Sequence, residues 1–191
     1  MMLEDRYLVW RLKQGSRRAL CRIYDRYETD LLTLARSLLG RTGEAEDVLQ
    51  DVFVRFIESI DSFELTGSLR GYLVACVANR ARDYLRKDRR RMGEPAGSVP
   101  GRAWEEDALR RHYEREQREP LQEVIADEQR QRLTAALVEL PYEQREAVLL
   151  HLQAGLKFHE IARVQGVAAK TAWSRYRYGL DRLRSMLNGQ V

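Results

Sequence analysis

Eight residues between positions 45 and 60 set the strongest limit on what this chain can fold into. Ala45, Val48, Leu49, Val52, Phe53, Phe56, Ile57 and Ile60 follow one another in steps that alternate three and one without a miss. That spacing puts all eight on one stripe of an α-helix, whereas a strand needs a period of two. Acidic residues occupy the opposite face, and Thr42-Gly43-Glu44 reads as the helix start. No proline occurs in the first 94 residues, so long helices can form on both sides of this one. Ser16 can cap a preceding helix that carries Leu20, Ile23, Tyr24, Tyr27, Leu31, Leu34, Ala35 and Leu38 and stops near Gly40. After a short connection from Asp61 to Gly67, Ser68 can cap a further helix with Tyr72, Leu73, Cys76, Val77, Tyr84 and Leu85. Together these predict an N-terminal helical bundle ending near Arg91.

The next stretch differs in kind. Three of the four prolines (Pro95, Pro100, Pro120) and Gly93, Gly97 and Gly101 fall between positions 92 and 120. Its first part reads as a flexible tether, and 103–119 as weakly ordered, helical at most. A second domain then begins: Leu133, Leu137 and Leu140 lead to Pro141, a good first-turn residue, and Val148, Leu149 and Leu152 continue that helix. Phe158-His-Glu-Ile-Ala162-Arg-Val-Gln-Gly166-Val167 has the spacing of a helix-turn-helix. Ala162 allows close packing, and Gly166 permits the left-handed turn. The helix from about Ala168 to Leu187 has a stripe of Ala172, Tyr176, Leu180, Leu183 and Leu187 to bury, which turns Lys170, Trp173, Ser174 and Arg177 outward. Arg175, Arg182 and Arg184 stand within reach of phosphates. The expected fold is therefore all-α, with a bundle over 1–91, a linker over 92–127 and a helix-turn-helix domain over 128–191.

Charge alternates along this plan. Residues 44–64 carry seven acids and one base, 70–91 eight bases and two acids, 93–127 nine acids and five bases, and 157–184 seven bases and two acids. A net charge of only +4 thus hides two separate basic blocks, suited to two contacts with one polyanion. Other classes are excluded. No apolar run approaches the roughly 20 residues of a membrane span. The N-terminus lacks the order of a signal peptide. Cys21 and Cys76 alone make neither a disulfide framework nor a zinc site, and they fit a reducing cytoplasm. His112, His151 and His159 show no ligand spacing, and Arg163 stands where a helical zinc motif starting at His159-Glu160 needs histidine. No metal, cofactor or enzymatic nucleophile is expected.

With these residues in place, the chain resembles a bacterial RNA polymerase sigma factor of the sigma-70 family, of the short extracytoplasmic-function (ECF) type. The likeness covers roughly residues 8–91 and 128–187. Glu44-Ala-Glu-Asp-Val-Leu-Gln-Asp-Val-Phe53 is similar to the core-polymerase-binding segment of region two. The run from Gly71 to Lys87, with Asn79, Asp83 and Arg86, is similar to the segment that melts and reads the −10 element. Leu140-Pro-Tyr-Glu-Gln-Arg-Glu-Ala147, Glu160-Ile-Ala162 and Ser174-Arg175 are similar to region four, which reads the −35 element.

The resemblance implies roles. Glu46, Asp47, Gln50, Asp51 and Phe53 would hold core RNA polymerase, acids facing a basic partner. Phe63, Ser68, Arg70, Asn79, Arg80, Asp83, Arg86, Lys87 and Arg90 would meet −10 DNA, the loop 61–69 capturing a base extruded from the stack. Phe63 fits equally as plain core, and Asp83 with Arg86 as a helix-stabilising pair. Lys170, Thr171, Trp173, Ser174, Arg175 and Arg177 would meet −35 DNA. Here the sequence departs from the family: Lys170 replaces a glycine, Ala172 a valine, and Trp173 occupies a position often basic. A −35 preference therefore does not transfer, and Trp173 could pack or touch a thymine methyl. Implied partners are core polymerase, promoter DNA and an anti-sigma protein. Two other readings compete: a conventional helix-turn-helix regulator with a sensing or dimerising bundle, which would bind duplex alone, and a helical scaffold, which would not bind DNA.

Overall fold

The computed structural model describes residues 2–40, 43–91 and 120–189. Eight helices make up these residues: α1 (Met2–Lys13), α2 (Arg17–Leu39), α3 (Gly43–Glu58), α4 (Leu69–Arg91), α5 (Pro120–Glu139), α6 (Tyr142–Leu152), α7 (Phe158–Gln165) and α8 (Ala169–Leu187). Of the expected linker, 92–127, residues 92–119 lie outside the described residues, as does the helix start at Thr42, while residues 120–127 are not linker but the first turns of α5.

Helix α2 is the axis of the N-terminal bundle, packed by α1, α3 and α4. Its apolar stripe, Ile23, Tyr27, Leu31, Leu34, Ala35 and Leu38, is buried. Gly40 ends it in the left-handed conformation at φ 75°, its N–H donating to Arg36 O at 2.8 Å. Ser16 sits at the start, but its hydroxyl makes no capping bond. Helix α1 was not separately foreseen. It is pinned by Asp5, a buried carboxylate that accepts from the Tyr27 hydroxyl at 2.8 Å and from Arg26 at 3.0 Å. Burial, reinforced by Asp5, pushes the Tyr27 phenol up to about 12.

The α3 stripe is buried as its spacing requires, except that Ile57 is 38% exposed. Ser68 caps α4: its Oγ accepts from the Gly71 N–H at 3.0 Å. A Cβ at Gly71 would stand 2.9 Å from that oxygen, so the cap favours glycine there.

In the C-terminal domain α6 is the central helix, buried on nearly every side from Tyr142 to Leu150. Pro141 precedes its first turn instead of opening it, as the N-cap. Gly166 ends α7 at φ 64°, and the Val167 N–H returns to Ala162 O at 3.0 Å, which completes the expected turn between the two helices. Glu160 reaches back to cap α7, accepting from the Lys157 N–H at 2.8 Å. Gly179 lets α8 lie close on α6: a Cβ there would meet Val148 Cγ2 at 2.9 Å and Gln144 O at 3.2 Å. Leu133, Leu152 and Leu187, expected inside, are 43%, 61% and 46% exposed. Each lies at or near the outer edge of its stripe, where no helix among the described residues covers it.

The two domains touch, α2 against α5 and α6, and α4 against α7.

Candidate nucleic-acid and partner interfaces

Helix α3 presents one face to solvent because its other face is spent on the core. Glu46, Asp47 and Gln50 are exposed on it. Glu46 pairs with Arg36 at 3.2 Å. Asp51 is half-buried and accepts from Arg80 of α4, Nε to Oδ2 at 2.8 Å. Phe53, expected on the partner face, is buried instead. Its ring packs on Tyr24 with centroids 4.9 Å apart, so it can shape the face but not touch a partner. Val54, which periodicity did not single out, and Ile57, a stripe member that the core leaves partly uncovered, complete the face. Val54 is 50% exposed, and Ile57 joins it beyond the acids. Apolar groups edged by acids make a surface with both a hydrophobic centre and a charge preference.

Helix α4 and the loop before it carry the first basic block. Arg86, Lys87 and Arg90 are exposed. Asp83 stands 3.8 Å from Arg86, both largely in solvent, a separation that contributes little. Phe63 is half-buried in an aromatic cluster, 5.3 Å from Phe56 edge-on and 4.6 Å from Tyr72. Ser68 spends one lone pair on its helix cap, with its residue exposed. Arg70 does not point freely outward. It donates to Asp30 Oδ2 at 3.1 Å and, across the domain seam, to the carbonyls of Ala154 and Gln153. Asn79 is exposed, and its Oδ1 accepts from Arg82 at 3.2 Å.

Helix α8 brings Lys170, Thr171, Trp173 and Arg177 together on one exposed surface. The Arg177 guanidinium lies 5.7 Å from the Trp173 ring centroid, a cation–π arrangement that fixes both side chains. Ser174 and Arg175 are half-buried. Ser174 donates back to Lys170 O at 2.9 Å, and Arg175 donates to Gln165 Oε1 at 2.9 Å. His151, in the last turn of α6, is structural: Nδ1 lies 2.9 Å from Leu156 O, and the ring stacks on Phe158.

Sequence reasoning passed over Arg82, Tyr142, Glu146 and Gln165 as site residues. Glu146 is 1% exposed. It accepts from Arg82 at 2.6 Å and from Gln165 at 3.0 Å, and the Tyr142 hydroxyl lies 3.2 Å away. Burial pushes its carboxyl above the ordinary range, against the opposing pull of Arg82 and of the hydrogen bonds from Gln165, Arg82 and Tyr142. A signal existed in the sequence. Glu146 immediately precedes Ala147-Val-Leu-Leu150, a continuous apolar run of the kind a helix buried all round carries.

Two family models match the chain, Sigma-70 region 2 over residues 23–91 and Sigma-70, region 4 over residues 130–183. The ECF RNA polymerase sigma factor EcfG of Rhodopseudomonas palustris is 29% identical over 157 residues, covering 82% of this chain and 78% of the relative. The ECF RNA polymerase sigma-E factor of Escherichia coli K12 is 25% identical over 190 residues, covering 99% and 95%. Among solved structures, the sigma factor RpoE bound to the anti-sigma factor NepR, from Bartonella quintana, is 25% identical with a TM-score of 0.61, covering 83% of this chain and 89% of that one. CnrH in complex with the cytosolic domain of CnrY shares the fold, with a TM-score of 0.65 at 22% identity, covering 98% and 99%.

Proposed function

The chain belongs to the sigma-70 family, in its ECF group, and on that premise we propose how its faces divide the work of starting transcription. It is a sigma factor: it binds core RNA polymerase and directs initiation at promoters through its region 2 and region 4 domains. The conventional helix-turn-helix regulator is not favoured, because the bundle itself matches region 2. Catalysis belongs to the polymerase, and the place of action is the cytoplasm. No helix among the described residues is long and apolar enough to cross a membrane. An anti-sigma protein is a further partner, of the class that NepR represents in the Bartonella quintana complex.

The division of labour follows the surfaces. Glu46, Asp47 and Gln50, with Val54 and Ile57, form the face that holds core enzyme. Its acids steer a basic partner and its apolar pair holds it. Arg86, Lys87 and Arg90 take −10 phosphates, with Asn79, Arg80 and Arg70 beside them on α4. Phe63 and Ser68 border the loop that would receive an extruded base. Lys170, Thr171, Trp173 and Arg177 enter the −35 major groove, while Ser174 and Arg175 support them from the half-buried side. Residues 1–91 serve as region 2 and 128–191 as region 4, joined by 92–119 and the first turns of α5.

The observation that carries this reading is the exposure of Asp47 and Gln50 on α3 and of Lys170 and Trp173 on α8, inside segments that match the two family regions in order. A sizing column tests the first half. The chain mixed with core polymerase should co-elute with it. Separate elution at micromolar concentration would overturn the core-binding face.

A further inference from the structure

Helix α1 carries two apolar stripes on opposite sides. Leu8, Val9 and Leu12 are buried, and through them α1 packs on α2. Leu3, Tyr7 and Trp10 stand on the other side, 83%, 54% and 54% exposed, with the Tyr7 and Trp10 ring centroids 6.2 Å apart. Their steps of four and three are the heptad spacing, which lays a seam along a helix for a second helix to pack on. The positions bordering this seam are Glu4, Arg6, Arg11 and Lys13. Arg6 and Arg11 are exposed and make no ion pair among the described residues. Lys13 donates to the Asp61 carbonyl at 3.3 Å. Glu4 is drawn to α2, where Arg26 holds it at 2.6 Å and Arg22 at 3.5 Å. The rim of the seam is therefore basic. Helix α1 precedes the residues matched to region 2 and belongs to none of the three faces described above.

We propose that the Leu3–Tyr7–Trp10 seam docks one helix of a partner protein, an amphipathic helix whose apolar stripe is edged by Asp and Glu. The surface stands apart from the faces assigned to core polymerase and DNA, so the proposal does not depend on them. Charge selects the occupant. Bases on both sides of a heptad seam favour acids at the flanking positions of the helix that packs there. The same bases oppose a second copy of this chain, because a symmetric pairing along the seam sets arginine against arginine. An anionic bilayer fits less well, since a seam one helix contact wide is narrower than the apolar face that enters lipid. A nucleic acid would engage the arginines and stack on the rings but leave Leu3, the most exposed of the three, without a use. Trp10 is the expected anchor, being large, rigid and of the residue type that most often dominates interface energetics. Spaced anchors along one helix face are the usual way such a surface takes a partner helix.

The test titrates the full chain into a fluorescein-labelled synthetic peptide of about three heptads, with Leu at the seam positions and Glu on both flanks. A twin peptide carries Lys on the flanks. The Glu-flanked peptide should bind, and the Lys-flanked twin should bind roughly tenfold more weakly or worse. Trp10→Ala should weaken the Glu-flanked complex by roughly tenfold or more. Arg6→Glu combined with Arg11→Glu should reverse the preference between the two peptides. Reversal requires a folded α1, so it separates a changed surface from a lost fold. Failure of the Glu-flanked peptide to bind overturns the inference, as does equal affinity for the two peptides or a Glu-flanked complex indifferent to Trp10→Ala. Parallel titrations with oligothymidylate and with vesicles of anionic phospholipid, and sedimentation of the chain alone, cover the other occupants. If Trp10→Ala abolishes binding to one of these more strongly than to the Glu-flanked peptide, the seam serves that occupant and the inference falls. None of these readouts involves polymerase or promoter DNA, so a failure here leaves core binding and transcription standing, and failure of those leaves the peptide preference standing.

Discussion

Arg82 Nη2 stands 2.6 Å from Glu146 Oε1, and the two side chains come from different domains. The arginine is 25% exposed and the carboxylate 1%. The pair therefore joins a cation at the edge of solvent to an acid that has given up nearly all its water.

Glu146 should make the protein's stability depend on pH. Burial, opposed by Arg82, Gln165 and Tyr142, raises its folded-state value above the ordinary 4.5. A raised value means that the folded state holds the proton more tightly than the unfolded state. The contribution is thus full below the ordinary value and is lost as pH rises through the raised one. Denaturant midpoints measured from pH 4 to pH 7 should show wild type losing stability relative to Glu146→Gln as pH rises. Parallel curves for the two proteins contradict the assignment.

Gly179→Ala should destabilise the C-terminal domain. Alanine gains up to about 1 kcal/mol in helix propensity over glycine. Here the new methyl would stand 2.9 Å from Val148 Cγ2 and 3.2 Å from a backbone carbonyl, and such overpacking costs about 1–3 kcal/mol. The overpacking wins where α6 cannot retreat, since it is buried on nearly every side. A lower thermal midpoint is expected; an unchanged or higher one would show that the helices slide apart freely.

Asp47→Lys and Asp51→Lys should both weaken core polymerase binding but differ in stability. Asp47 is exposed, so its reversal should leave the unfolding midpoint within the usual surface range of about 0.5 kcal/mol. Asp51 holds Arg80 at 2.8 Å, so its reversal should destabilise the bundle as well. Equal midpoints for the two variants would mean that the Asp51–Arg80 bond contributes nothing.

On α8, Lys170→Ala should lower −35 duplex affinity for all sequences alike and reduce the slope of log affinity against log salt by about 1. Trp173→Ala should leave that slope alone and lower affinity through lost apolar contact and a freed Arg177. Salt titrations by fluorescence anisotropy separate the two.

Much of this was legible in the residues. The three-and-one stripe placed α3, Gly40 and Gly166 placed two helix ends, and Ser68 placed a third boundary, because each is local chemistry with a spacing. What escaped depended on tertiary neighbours. Phe53 looked like part of a partner motif but turns inward to Tyr24, since the stripe it belongs to is wider than the motif. Ile57 and Leu152 belong to apolar stripes that outrun the helices available to cover them. Arg82 was one of eight bases in its block, and nothing in the sequence distinguishes it from Arg86. Only the approach of α6, 64 positions on, selects it.

The central claim is that this chain confers promoter choice on core polymerase. Transcription in vitro on fragmented genomic DNA, with start sites mapped for core alone and for core with the chain, addresses it most directly. New, discrete start sites sharing upstream sequence near −10 and −35 are predicted, and charge reversal at Asp47 should reduce them. Start sites identical to those of core alone would contradict the account.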